Sequence, residues 1–299
     1  MKRIAWLLVL VLLVGSVSAL GEDEEGRLKS GESWNRVVSV LGRDYLVFAQ
    51  NSPEWSGIRA TNNTEKLQSI GGTACIQFAF ANALVNTIPY EMLPRIADIL
   101  RYPPRVDEYT ATAFHGKKAS LRFEITENCD FLRYWPLIIV SLAAGNNLDM
   151  EDDPDGSFYF GTVTNFYNVK KSMTWEKNEA FAAMDAGALL VTNFYADTTA
   201  DGVTIGHSFV LVGRDDEYAY MLDSTFKKEF PMPMGKYIEM VEPGLQRIRL
   251  ANLSKVNLNK FFIIWPKEDF VPYTSERYQE IVGQSNRNWE EKQAQTAAD

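Results

Sequence analysis

The sequence predicts an α+β protein, and three stretches carry that expectation. Cys75–Val85, CIQFAFANALV, is apolar on nearly every face, which marks a helix buried all round. Ala188–Tyr195 is an apolar strand. Gly206–Ser224, GHSFVLVGRDDEYAYMLDS, alternates like a β-hairpin, with Phe209–Gly213 and Tyr218–Leu222 as arms around the acidic cluster Arg214–Glu217. With helices expected first and strands later, the Cys75 helix belongs to a helical half packed against a twisted antiparallel sheet.

At the start of the chain, Met1–Arg3 is basic, Ile4–Val14 apolar, and Val17-Ser18-Ala19 a small-residue cleavage site. Residues 1–19 therefore read as a removed secretory signal and the protein as secreted. That apolar run is shorter than the ~20 residues a membrane span needs. Residues 20–66 form a leader or pre-segment. Its Glu22–Ser33 part is charged and Gly-containing, and whether Glu22–Gln50 acts as an inhibitory pro-segment stays open. Tyr45–Ala49 is a strand within it, and Asn51–Thr64 is loop-like. Gly71-Gly72 stops any preceding helix, which leaves Cys75 in the first turn of its own.

Pro89–Leu100 and Asp130–Ala144 are further helix candidates, separated by the Pro103-Pro104 break and the ambiguous Ala111–Asn128. Ser157–Thr164 reads as a strand, and Thr174–Ala186 as a helix stopped by Gly187. Phe226–Phe230, Arg247–Asn252 and Phe261–Trp265 are later strands. A catalytic-type domain thus runs from 67 to 267 with an inserted region at about 101–173, and 268–299 is a polar tail.

Charge limits the partners. Losing Lys2 and Arg3 with the signal takes the 30 basic residues to 28 against 39 acidic ones, a formal −11. Nucleic acids and anionic membranes both demand basic patches, so neither is expected as a partner beyond the signal peptide itself. Neither a phosphate loop nor a dinucleotide fingerprint occurs, and two cysteines and two histidines spread this widely give no zinc spacing. Glu151, Asp153 and Asp155 before Gly156 resemble the start of a calcium loop, but Thr162 stands where the closing glutamate belongs. No metal or cofactor is expected.

Cysteine chemistry fits better. A thiol has a pKa near ~8.5 and becomes nucleophilic as thiolate, which a helix N-terminus and an adjacent imidazolium both favour. Cys75 opens its helix, His207 sits near the start of one hairpin strand, and Asp223 ends the next. If Arg214–Asp216 is a three-residue turn, His207 lies opposite Asp223 on one face; a two-residue turn would separate them. Cys75 as nucleophile, His207 as base and Asp223 as orienting acid then complete a triad, with helix amides and Gln68 as oxyanion donors. The competing reading is a Cys75–Cys129 disulfide, worth about 4 kcal/mol for so long a loop, in a non-enzymatic binding protein.

GGTACIQFAFANAL, followed much later by ALLVTNFY and GHSFVLVGRDDEYAYMLDS, resembles the papain-like cysteine peptidases, nearest their bacterial double-glycine, leader-cleaving branch. The resemblance implies a papain-like fold, a peptide or protein substrate, and the roles just given to Cys75, His207 and Asp223. It covers roughly Gln68–Ala83 and Ala186–Ser224. The oxyanion glutamine of that family stands about six residues before the cysteine, where this chain has Ser69, with Gln68 one further back. The glycine that often follows the nucleophile is Ile76. Transglutaminase-like acyl transferases look similar in the same parts, and Gly213, six residues after His207, favours the peptidase branch.

Overall fold

The structure is a computed structural model that describes residues 35–50, 59–61, 67–69, 74–89, 92, 108–113, 117–122, 157–198, 204–225, 236–272, 274, 276 and 294–295. Its centre is a seven-stranded, wholly antiparallel sheet in the order β11-β12-β10-β9-β8-β13-β7. The strands are β7 (Lys171–Thr174), β8 (Leu189–Thr198), β9 (Thr204–Arg214), β10 (Tyr218–Leu222), β11 (Ile238–Glu242), β12 (Leu245–Arg249) and β13 (Leu258–Ile264). A hairpin of β1 (Arg36–Val40) and β2 (Arg43–Val47) stands beside it. A separate sheet joins β3 (Arg59–Thr61), β4 (Leu67–Ser69), β5 (Glu108–Ala113) and β6 (Lys117–Arg122). Three α-helices are described: α1 (Cys75–Val85), α2 (Ser157–Phe166) and α3 (Lys177–Asp185).

The α+β class is as expected; the order of elements is not. Four strands precede α1, and the described helices cover both faces of the sheet rather than forming one helical half. Neighbouring strand residues sort the faces. Phe261 turns toward Phe181 of α3 (ring centroids 6.3 Å apart), while Phe262 turns toward Phe80 of α1 (5.5 Å) and Phe160 of α2 (4.9 Å). Thr192 and Phe209 share the α3 face with Phe261, and Val191 and Val210 share the α1 face with Phe262, because paired residues project to the same side. Each face carries its own close-packed apolar layer, and that double burial makes the middle strands read as continuous apolar runs.

Ser157–Phe166 is a helix where a strand is expected. Its aromatic and β-branched content favours a strand in isolation, but Phe160, Val163, Thr164 and Tyr167 are buried at helical spacing against Phe80 and Phe262. Packing overrides propensity there. The expected helix over Thr174–Ala186 begins only at Lys177, because Lys171–Thr174 pairs with β13. Its stop is as read: Gly187 (φ +99°) donates to the Met184 carbonyl (2.9 Å) and Ala188 to that of Ala183 (3.0 Å), the two bonds of a Schellman close. Arg247–Asn252 divides into β12 and a 3₁₀ turn at Leu250–Asn252. Ile238–Glu242 is a strand that no local sequence signal marks. The helices expected at 130–144 and over most of 89–100, the strand at 226–230, the signal peptide, residues 22–33, the acidic loop before Gly156 and most of the tail lie outside the described residues.

The β1–β2 hairpin is tied to α1 through two buried asparagines. Asn82 Oδ1 accepts from the Phe48 amide (2.8 Å); Asn86 accepts from the Leu46 amide (2.9 Å) and donates to the Leu46 carbonyl (2.8 Å). Val47, Phe48 and Ala49 are fully buried beside them. Replacing Asn86 by alanine strands both polar groups of Leu46 away from water. At about 1–3 kcal/mol for each orphaned group, we expect a loss of roughly 2–5 kcal/mol, read as a lower urea midpoint at unchanged slope. A change near zero would show that the hairpin does not depend on this link.

Candidate active site

Cys75 is the first residue of α1. The preceding Ala74 offers no side-chain cap, and the first turn contains no acidic residue. The amides of that turn therefore face the space around the thiol without a side-chain acceptor from the cap. Cys75 is a free thiol and is partly exposed. The sulfur is engaged by His207 and Ser208, and Cys129, its expected partner in the disulfide reading, lies outside the described residues.

His207 lies on β9, where its Nε2 meets Asp223 Oδ1 at 2.9 Å. That leaves Nδ1 for the thiol, to which the ring also hydrogen-bonds. Phe194, directly opposite on β8, packs edge-on against the imidazole at 6.0 Å. Asp223 lies just past the end of β10 and is fully buried, whereas the imidazole keeps 12% exposure. Its Oδ1 also accepts from the Thr225 amide (2.7 Å) and hydroxyl (2.9 Å), an Asx turn that fixes the carboxylate. Among the described residues Oδ2 is buried and receives no hydrogen bond.

The two residues reach one face by a route different from the expected turn. β9 ends at Arg214 and β10 begins at Tyr218, so the loop is Asp215–Glu217, with Arg214 opposite Ala219. That register, continued unbroken, would set Asp223 opposite Val210, on the other face from His207. A register shift between Tyr220 and Met221 skips Val212 and brings Leu222 opposite Val210. Asp223 then falls level with Phe209, two residues from His207 and on its face. One bulged residue, and not the turn length alone, restores the pairing.

That shared face is the one covered by α3, whereas α1 packs on the other, so the imidazole face does not simply meet the start of α1. β10 stops at Leu222, opposite Val210, which among the described residues leaves one flank of β9 without a strand partner below that point. The thiol meets that flank: the Ser208 amide and hydroxyl both hydrogen-bond to it, alongside the His207 ring. Ser208, Thr225 and, through Ser224, Gln50 are contributors that no sequence motif singles out. Ser208 and Thr225 each stand within two residues of a candidate, which is the one signal they offer.

Electrostatics couple the three groups. Burial pushes the Cys75 thiol up, but the hydrogen bond and charge of His207, with the two Ser208 bonds, outweigh it and hold the thiol below its usual value. Burial pushes the imidazole down, yet the Asp223 carboxylate and the sulfur raise it to about 10. Burial likewise raises Asp223, while the imidazolium and the Thr225 bonds bring it below the usual carboxylate range. All three shifts favour thiolate, imidazolium and carboxylate at neutral pH.

Gln68, the expected oxyanion donor, sits in the middle of β4 with Ala60 as its strand partner; its side chain lies outside what is described. Gly213 has a packing role of its own: a Cβ there would come within 3.0 Å of Leu41 Cδ1. No protein-family model matches the chain, and no curated protein matches it, so the functional reading rests on this geometry.

Proposed function

We propose that the chain is a secreted, papain-like cysteine hydrolase that cleaves peptide or amide bonds. The observation that carries this reading is the continuous line from Cys75 at an uncapped helix start, through His207, to the buried Asp223.

The residues support a two-step course. The Cys75 thiolate attacks the carbonyl carbon, and the C=O electron pair moves onto oxygen, where amides of the first turn of α1 face developing negative charge. As the pair returns, the C–N bond breaks and the His207 imidazolium gives its proton to the departing amine. Water then attacks the thioester carbonyl while His207 takes its proton. Collapse of that second intermediate expels the thiolate and releases a carboxylic acid. Asp223 keeps Nε2 occupied throughout, so that Nδ1 is the nitrogen exchanging protons with sulfur, amine and water.

The test is a product assay on a mixed peptide library with added primary amine. The proposal predicts free carboxylates at new chain ends and their loss in Cys75→Ala. Incorporation of the amine in place of water would mean transfer rather than hydrolysis. Gly213 carries less weight toward the peptidase branch than its spacing suggests, because Leu41 accounts for it.

A further inference from the structure

We infer that the Asn35–Gln50 limb is a retained working part of the site, in which Gln50 is a positioning residue for Asp223. This rests on the hydrolase reading above.

Asp223 must hold its carboxylate against Nε2, yet it lies beyond the last residue of β10. Its own amide is held by the Gly244 carbonyl (3.0 Å). Asp223 opens a three-residue Asx turn, Asp223–Thr225, and the middle residue of that turn is gripped from far away in sequence. The Gln50 amide donates to the Ser224 carbonyl at 2.8 Å, and the Ser224 hydroxyl donates to Gln50 Oε1 at 2.8 Å. Gln50 is 4% exposed and Ser224 1%, so water does not compete for either bond.

Gln50 is itself firmly seated. It comes directly after the fully buried Val47, Phe48 and Ala49, and the Phe48 amide bonds to Asn82 in the same helix that begins with Cys75. Nucleophile and acid are therefore joined by two routes. One runs through His207 and the strand pair. The other runs from α1 through Asn82 and the limb to Gln50, Ser224 and the Asp223 turn. Composition groups this limb with the leader, but removing it would release the clamp on the acid. A maturation cut that leaves the site intact must fall before Asn35.

The experiment compares Gln50→Leu, Ser224→Ala and the double variant in the full chain. It reads the pH profile of Cys75 alkylation by iodoacetamide, together with the melting temperature. Ser224→Ala removes one hydroxyl and keeps the carbonyl, so it guards against a variant that does not fold. Each single change is expected to move the alkylation profile to higher pH, slowing the reaction at pH 7 by roughly threefold, the equivalent of half a pKa unit. The double variant is expected to move it no further, as for two members of one link.

A shift in Gln50→Leu without one in Ser224→Ala would mean that Gln50 acts elsewhere, and would overturn the inference. So would additive shifts, or lower melting temperatures with an unmoved profile. A wild-type profile with no depressed thiol would instead sink the hydrolase reading beneath it. N-terminal sequencing of the alkylated wild-type protein gives an independent check. A start before Asn35 is expected, and labelled protein lacking 35–50 would contradict the inference.

Discussion

Replacing His207 by alanine slows alkylation of Cys75 at pH 7 by about thirtyfold or more. In the native site the imidazolium and the Ser208 bonds hold the thiol below its ordinary value against the opposing pull of burial. Removing the ring removes the larger of those two influences and leaves burial in place. A thiol returned to an ordinary value of about 8.5 is only a few per cent thiolate at neutral pH, and one left buried without its partner is less so. The same change removes the proton donor for the leaving amine, so hydrolysis falls further than alkylation does. General acid–base catalysis contributes typically about 10²–10⁴-fold, and the difference between the two losses measures that part separately. Raising the pH restores alkylation in this variant and does not restore hydrolysis.

Asp223→Asn is the second change with a large expected effect. The imidazole is raised to about 10 against its burial chiefly because the carboxylate stands beside it. Without that charge, burial dominates and the imidazole falls toward or below its ordinary value of about 6.5. Hydrolysis requires thiolate and imidazolium together, so its alkaline limb retreats from near pH 10 toward neutrality, and activity at pH 8 falls by about 10²-fold or more. Stability tracks the same proton. A group raised on folding stabilises fully below its unfolded pKa, so the imidazolium contribution is complete below about pH 6.5 and is lost progressively as pH rises to about 10. Asp223 has the opposite sign: its contribution is present above the ordinary carboxylate range and lost as pH falls through its lowered value. The stability gap between wild type and Asp223→Asn should accordingly shrink at both ends of the range, as monitored by urea unfolding at several pH values.

The site was more legible in the sequence than its frame was. Cys75 after a glycine pair, His207 opening an alternating run and Asp223 closing the next are all local patterns, and they fall at a helix start, on β9 and just past β10, though His207 and Asp223 share a face only through a bulge. The bulge at Val212 was not legible. It depends on how β9 and β10 pair, and nothing in VLVGRDD marks which residue is skipped. The same holds for Ser157–Phe166, where a strand-like composition folds as a helix because Phe80 and Phe262 stand ready to bury one side of it. Gln50 is the extreme case. It lies 174 positions from Ser224 and is flanked by a charged leader and a polar loop, so no window of sequence connects it to the acid it steadies.

Both large effects depend on one claim, that Cys75 exists as a thiolate paired with His207. The pH dependence of its alkylation, resolved to the residue by mass spectrometry, tests that claim most directly. The expected result is that Cys75 reacts on a plateau extending well below the ordinary thiol range near ~8.5, and that His207→Ala moves the onset of reaction upward. An unreactive Cys75, or a profile that rises only near ~8.5 and is the same in both proteins, would contradict it.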